Sequence, residues 1–170
     1  FSTSLSYLVE NLRYHTTEFD RNFLDALILL RLLSPSDGLI LDYGCGSGSI
    51  AIVLAKFGYQ VECADISELM LRFTRWRFRH RNLSGKFYHL RRQTLPTSRY
   101  RVVLLFGVLE VAQSPQKILY NVKRVQPQGG ILVLHYALDP SSKSPEVLSV
   151  GRIEPVLTQM GYQEMLRVFQ

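Results

Sequence analysis

Asp42, Gly44, Gly46, Gly48 and Asp65 fall in one short stretch, LDYGCGSGSIAIVLAKFGYQVECAD, and their types and spacing point to a nucleotide-type site. Glycines at alternate positions let a backbone turn sharply and bring its N–H groups close to a ligand at a helix start. Asp65 comes about 20 residues after the first glycine, at the end of what reads as a second strand, where an acid can grip a ribose diol. Asp42 stands two positions before Gly44; a carboxylate there repels a pyrophosphate and attracts an ammonium or sulfonium group. The dinucleotide pattern G-x-G-x-x-G is matched only in part, because Ser49 occupies the third glycine position. Elsewhere, His135 closes a predicted fifth strand and carries an imidazole, which titrates near neutral pH and can serve as a general base. Glu110, after the fourth strand, is placed either to touch the ligand or to cap the next helix. A bare glycine turn and a strand-end histidine satisfied by backbone are the plain structural alternatives.

The elements that must position these residues are legible as alternating patterns. Residues 39–41 read as a short buried strand, 49–57 as a helix stopped by Gly58, and 60–64 as a second strand. Ser67 is a plausible N-cap for a helix to about Arg81, with Leu69, Phe73 and Trp76 as its expected buried stripe. Further strands are predicted at 86–90, 102–106 and 131–135, a helix at 115–124, a helix at 154–160 and a sixth strand at 164–169. The continuously apolar VVLLF suits a strand covered on both faces. Upstream, 22–33 is a Leu- and Ile-rich helix, and Leu5, Leu8, Val9 and Leu12 share a face of a shorter one. Strands alternating with helices predict βαβ units and a parallel sheet.

The pattern D-x-G-x-G-x-G followed by the ribose acid closely resembles the class I S-adenosylmethionine methyltransferases. The run VVLLFGVLEVAQSPQKILYNVKRVQPQGGILVL resembles that family's fourth strand, helix, P-x-G-G turn and fifth strand, so the resemblance covers roughly residues 39–134. It implies an α/β fold: a doubly wound, mostly parallel sheet of about six strands with helices on both faces, Rossmann-like, with the family's final antiparallel strand missing. It implies one domain over 1–170, with N-terminal helices to 34 and a Rossmann-like core from 35. It also implies S-adenosylmethionine as cofactor, held by Asp42, Gly44, Cys45, Gly46, Gly48, Asp65, Ile66, Gln93, Gly107 and Glu110. In the family such N-terminal helices often cover the cofactor, and Tyr7, Tyr14 and His15 are the polar handles there.

Three positions depart from the family pattern. Arg91 stands where many members place an acid to contact the adenine amine, Arg101 where Asp commonly precedes the fourth strand, and Val111 where a His often follows Glu110. Arg91 cannot accept a hydrogen bond from the amine, which leaves adenine to Gln93, Thr94 or backbone groups.

A chain of 170 residues, 46% apolar and 20% charged, is long enough to bury a real core and too apolar for disorder. Its cysteines, Cys45 and Cys63, have no metal-ligand spacing, and no metal site is expected; they read as reduced thiols of a cytoplasmic protein. No eighteen-residue apolar stretch suggests a membrane span. The chain opens on Phe1 without methionine, as a piece of a longer polypeptide would. Between residues 69 and 109 lie ten Lys/Arg and no acid, while the rest of the chain, ten basic against fourteen acidic, is net negative. Like charges one helical turn apart repel by a few tenths of a kcal/mol. The stretch from Arg72 to Arg101 therefore suits either a solvated basic face or an anionic partner, RNA or an acidic protein.

The reading is methyl transfer to an O or N of a small molecule. Catalysis there rests mainly on positioning and desolvation, with His135 as base where one is needed. The alternatives are an RNA or nucleic-acid methyltransferase using the basic stretch, a non-catalytic partner-binding module, and a nicotinamide dehydrogenase, which Asp42 and the broken third glycine oppose. The absence of Asn/Asp-Pro-Pro-Tyr after the fourth strand disfavours base N-methylation of that type, and His89 and Tyr136 carry no distinctive signal.

Overall fold

The computed structural model of the protein describes residues 21–135 and 153–165. Its elements are α1 (Arg21–Leu32), β1 (Ile40–Tyr43), α2 (Ser49–Lys56), β2 (Val61–Asp65), α3 (Glu68–His80), β3 (Phe87–His89), β4 (Val102–Phe106), α4 (Pro115–Val125), β5 (Ile131–His135) and α5 (Ile153–Gln159). The five strands form one parallel sheet in the order β3-β2-β1-β4-β5. The chain winds outward from β1 through β2 to β3, then returns to lay β4 on the other side of β1. Strand order reverses between β1 and β4, and such a reversal opens a crevice at the carboxyl ends of the strands, where ligands of open α/β sheets bind.

Alternation along the strands divides the apolar residues between two faces. Ile40, Val61, Cys63, Val102 and Leu104 pack under Leu29 of α1, Ile50 and Leu54 of α2, and Leu71 and Phe78 of α3. Leu41, Tyr43, Ala64, Val103 and Leu105 pack with Leu119, Val122 and Val125 of α4 and Ile153 of α5. Both faces are thus covered, as a doubly wound sheet requires. At the amino-terminal edge, away from the crevice, buried Glu62 accepts from Arg99 Nη2 and the Tyr100 hydroxyl, each at 2.8 Å. Burial works to raise its pKa, but these donors outweigh it and hold the carboxyl below the usual range.

The expected sixth strand falls mostly outside the described residues; Glu164 and Met165 are described and lie in no strand. The expectations on Tyr7, Tyr14, His15, the early short helix and Tyr136 also lie outside them. One element is corrected. The buried side of α3 is Met70, Leu71, Thr74 and Phe78, not Leu69, Phe73 and Trp76, and Trp76 is 56% exposed. The helix is rotated because Phe78 meets Phe87 of β3 edge-on at 5.2 Å and Thr74 reaches the glycine turn. Ser67 does cap it, accepting from the Met70 N–H at 3.3 Å.

Candidate functional site

The glycine turn is gripped from three sides. Gly44 and Cys45 donate backbone N–H bonds to the Ala64 carbonyl at 2.7 and 3.1 Å, tying the turn to the end of β2. Gly44 and Gly48 both have positive φ, +82° and +72°. A Cβ at Gly44 would overlap Val108, which follows β4, and one at Gly48 would overlap Thr74 of α3. Thr74 donates its hydroxyl to the Gly46 carbonyl at 2.8 Å, and Arg77 reaches the Ser47 carbonyl at 2.6 Å and the Ser49 hydroxyl at 3.0 Å. The turn therefore lies at the strand-order reversal, held by the β4 loop and α3 together.

Two buried carboxylates line this turn. Asp42, in β1, is 3% exposed and accepts from the Ala51 backbone in the first turn of α2. Burial, and then the neighbouring Asp65, push its carboxyl up to about 7. Asp65 closes β2 and accepts from the Gly46 N–H at 2.9 Å and the Ser67 N–H at 2.7 Å, one on each oxygen. Burial raises it too, and the backbone donors and nearby His89 moderate the rise. Each oxygen of a carboxylate can accept more than one hydrogen bond, so Asp65 retains capacity for ribose hydroxyls. Two buried acids in one mouth, with Asp65 adding to the burial that raises Asp42, are a natural seat for a cation. The donor set thus suits the ammonium, sulfonium and ribose of S-adenosylmethionine.

The adenine side is thinner. Ile66, 44% exposed beside Asp65, offers an apolar surface. The Gln93 side-chain oxygen accepts from the His89 N–H at 2.8 Å, which leaves its amide N–H group and one oxygen lone pair for a base. Arg91 is exposed, and its backbone N–H bonds to His89 Nδ1 at 3.2 Å. Gly107 follows β4 with φ +63° and open space where a Cβ would stand, and Glu110 lies in the short 3₁₀ turn Leu109–Val111 beyond it. Cys45 and Cys63 are both free and buried, and each thiol perturbs the other; the Cys63 thiol and burial hold Cys45 well above the ordinary thiol range. Cys45 is a packed wall of the turn with little thiolate character.

His135 ends β5 opposite Phe106 of β4, on the sheet face that also carries Asp42 and Cys63. Its Nδ1 lies 2.8 Å from Oδ2 of Asp25, a residue 7% exposed on α1. Sequence reasoning missed Asp25. Its signal was an acid in the otherwise apolar run FLDALILL, at a position that faces inward.

The basic stretch from Arg72 to Arg101 is not one surface. Arg77 belongs to the glycine turn, and its carbonyl accepts from Arg81. Lys86 and Arg99 pair with Glu62, Arg92 pairs with Glu68, and Arg101 bonds the Gln128 carbonyl. Arg72, Arg79 and Arg91 remain exposed, while the Arg75 guanidinium lies over the Phe87 ring at 5.4 Å.

Comparison with known proteins agrees with this geometry. Residues 16–164 match the family described as a methyltransferase domain. The ubiquinone biosynthesis O-methyltransferase of Roseobacter denitrificans is 31% identical over 137 residues, covering 79% of this chain and 52% of the relative. The ribosomal protein L11 methyltransferase of Campylobacter jejuni is 35% identical over 85 residues, covering 38% of this chain and 30% of the relative. The chain thus spans about half or less of the length of these curated relatives. Phosphoethanolamine N-methyltransferase 2 of Haemonchus contortus, solved in complex with S-adenosyl-L-methionine, superposes with a TM-score of 0.65 at 18% identity, covering 81% of this chain and 36% of that one. At that identity the likeness is one of fold.

Proposed function

The chain belongs to the methyltransferase domain family, and from that premise we propose that it transfers a methyl group from S-adenosylmethionine to an oxygen or nitrogen of a small molecule. One observation carries the proposal: a buried pair of carboxylates, Asp42 and Asp65, flanks a glycine turn packed too tightly at Gly44 and Gly48 to admit a side chain there. When bound, the cofactor supplies an electrophilic methyl on sulfur. Asp42 would face its cationic amino-acid end, Asp65 would take the ribose hydroxyls, and Ile66 would pack against the base. Arg77 and Thr74 keep the turn in shape.

His135 is the base of this proposal. A carboxylate only accepts hydrogen bonds, so the contact with Asp25 assigns the Nδ1 proton to the imidazole and its basic lone pair to Nε2. An acceptor hydroxyl or amine loses its proton to Nε2 as it becomes a nucleophile. Support for a small molecule comes from the Roseobacter O-methyltransferase, which aligns over most of this chain. A second reading, an anionic macromolecule held on the arginines, draws on exposed Arg72, Arg79 and Arg91. The test is methyl-labelled S-adenosylmethionine offered with pooled phenols, catechols and amines, and separately with RNA and protein. Label in the small-molecule fraction supports the proposal; label confined to the macromolecules overturns its substrate class.

A further inference from the structure

The solvent face of α3 carries three aromatic rings that no core needs. Trp76 is 56% exposed, with Phe73 stacked on it at 5.8 Å and 20° and His80 at 5.4 Å and 9°. Arg72 and Arg79 stand four and three residues from Trp76, on the same side of the helix. Both are exposed and form no ion pair among the described residues. The one acid of the helix, Glu68, sits one turn before Arg72 and is engaged by Arg92 at 3.4 Å and by His89 at 3.9 Å. An exposed tryptophan costs hydration free energy, and neighbouring guanidinium groups repel one another. Both penalties are relieved by a ligand with flat rings and negative charge.

We propose that this face of α3 docks single-stranded nucleic acid, with bases continuing the Phe73–Trp76–His80 ladder from its His80 end, because the Arg77 guanidinium lies over the Phe73 ring at 5.7 Å, and with phosphates taken by Arg72 and Arg79. A purely acidic protein segment would use the arginines and leave the parallel rings uncovered, and an apolar protein partner would have to desolvate the guanidinium groups. Rings interleaved with unpaired cations fit a strand that offers both stacking faces and phosphates. The exposed residues Arg72, Trp76, Arg79 and His80 lie off the cofactor turn, which α3 meets through Thr74 and Arg77. The proposal therefore stands whether or not nucleic acid is the methyl acceptor.

Trp76 is the chain's single tryptophan, so its fluorescence reports this face alone. The protein is titrated with a mixed-sequence single-stranded RNA dodecamer, and with polyglutamate, at about 50 and about 200 mM salt. Saturable quenching by RNA that weakens steeply with salt is expected. In the Arg72→Gln/Arg79→Gln variant the log–log salt slope should flatten by about 0.7 per lost phosphate contact. By anisotropy of labelled RNA, Trp76→Ala, which removes the middle of the ladder and the support of its His80 end, should bind on the order of tenfold more weakly. Trp76 lies outside the core, so circular dichroism of this variant should be unchanged. Three results would overturn the proposal: no quenching at low salt, equal quenching by polyglutamate, which would mark an acidic-protein surface, or a salt slope unaltered in the double variant.

Discussion

Asp25 and His135, 110 residues apart in the chain, meet at 2.8 Å between carboxylate oxygen and Nδ1. The contact joins α1 to the mouth end of β5 and fixes the imidazole ring against Phe106, which meets it edge-on at 5.7 Å. A base held in one orientation is pre-positioned for proton transfer.

His135→Asn should therefore lower turnover on a verified acceptor by about 10²–10⁴-fold, the usual share of general-base catalysis, and leave cofactor affinity unchanged. Asp25→Asn should act through orientation, with a smaller fall in kcat. It should also shift His135 away from the Nδ1–H tautomer in nitrogen-detected NMR. Near-normal turnover of His135→Asn would leave positioning alone as the catalyst. An unchanged tautomer in Asp25→Asn would reduce their contact to packing.

On the proposed role of Asp42, cofactor binding should be sensitive to pH. Its carboxyl titrates near 7 in the folded protein because of burial and Asp65, against about 4 in an unfolded chain. With the folded value raised, its contribution to stability is present at acid pH and is lost as pH climbs from about 4 to about 7. A cationic ligand favours the ionised form. Affinity for S-adenosylmethionine should rise with pH up to about 7 and then level off. Below that pH, binding should take a proton off the site, which calorimetry in buffers of different ionisation enthalpy detects. Asp42→Asn should abolish the dependence; a flat profile in the wild type would place Asp42 outside the cationic contact.

Arg77 and Arg79 should behave differently although only Phe78 separates them. Arg77→Gln loses a charged hydrogen bond to the Ser47 carbonyl, typically about 1.5–3 kcal/mol, and should weaken cofactor binding by loosening the turn. Arg79→Gln, on the outer face, should leave it intact. Equal affinities in the two variants would show that the α3 clasp does not shape the site.

Gly48 tests the packing of the same turn. An alanine there must adopt φ +72° and overlap Thr74. Such backbone strain alone costs roughly 1–3 kcal/mol, so Gly48→Ala should lower Tm on the order of 5 °C in a chain of this size. A Tm within about a degree of wild type would mean that the turn relaxes freely.

The sheet and the turn were legible because glycine, apolar runs and a strand-end acid are local signals. Asp65 and Gly44–Gly48 stand where their spacing placed them. Asp25 was not legible, because its meaning lies in a partner on a distant strand. Trp76 differs for another reason: apolar residues at helical spacing, Leu69, Phe73 and Trp76, suggest a buried stripe, while α3 turns on the needs of Thr74, Arg77 and Phe78. The uniform run of basic residues likewise hid its division. Half of them, Arg77, Lys86, Arg92, Arg99 and Arg101, find carbonyls or carboxylates that only the fold brings near.

The central claim is that Asp65 and the Gly44–Gly48 turn bind S-adenosylmethionine, and isothermal titration of the wild type and of Asp65→Ala tests it most directly. Loss of a charged hydrogen bond worth about 1.5–3 kcal/mol predicts saturable binding by the wild type and roughly ten- to a hundredfold weaker binding by a folded Asp65→Ala. No heat from S-adenosylmethionine or S-adenosylhomocysteine at millimolar ligand, or equal affinity in the two proteins, would contradict the account.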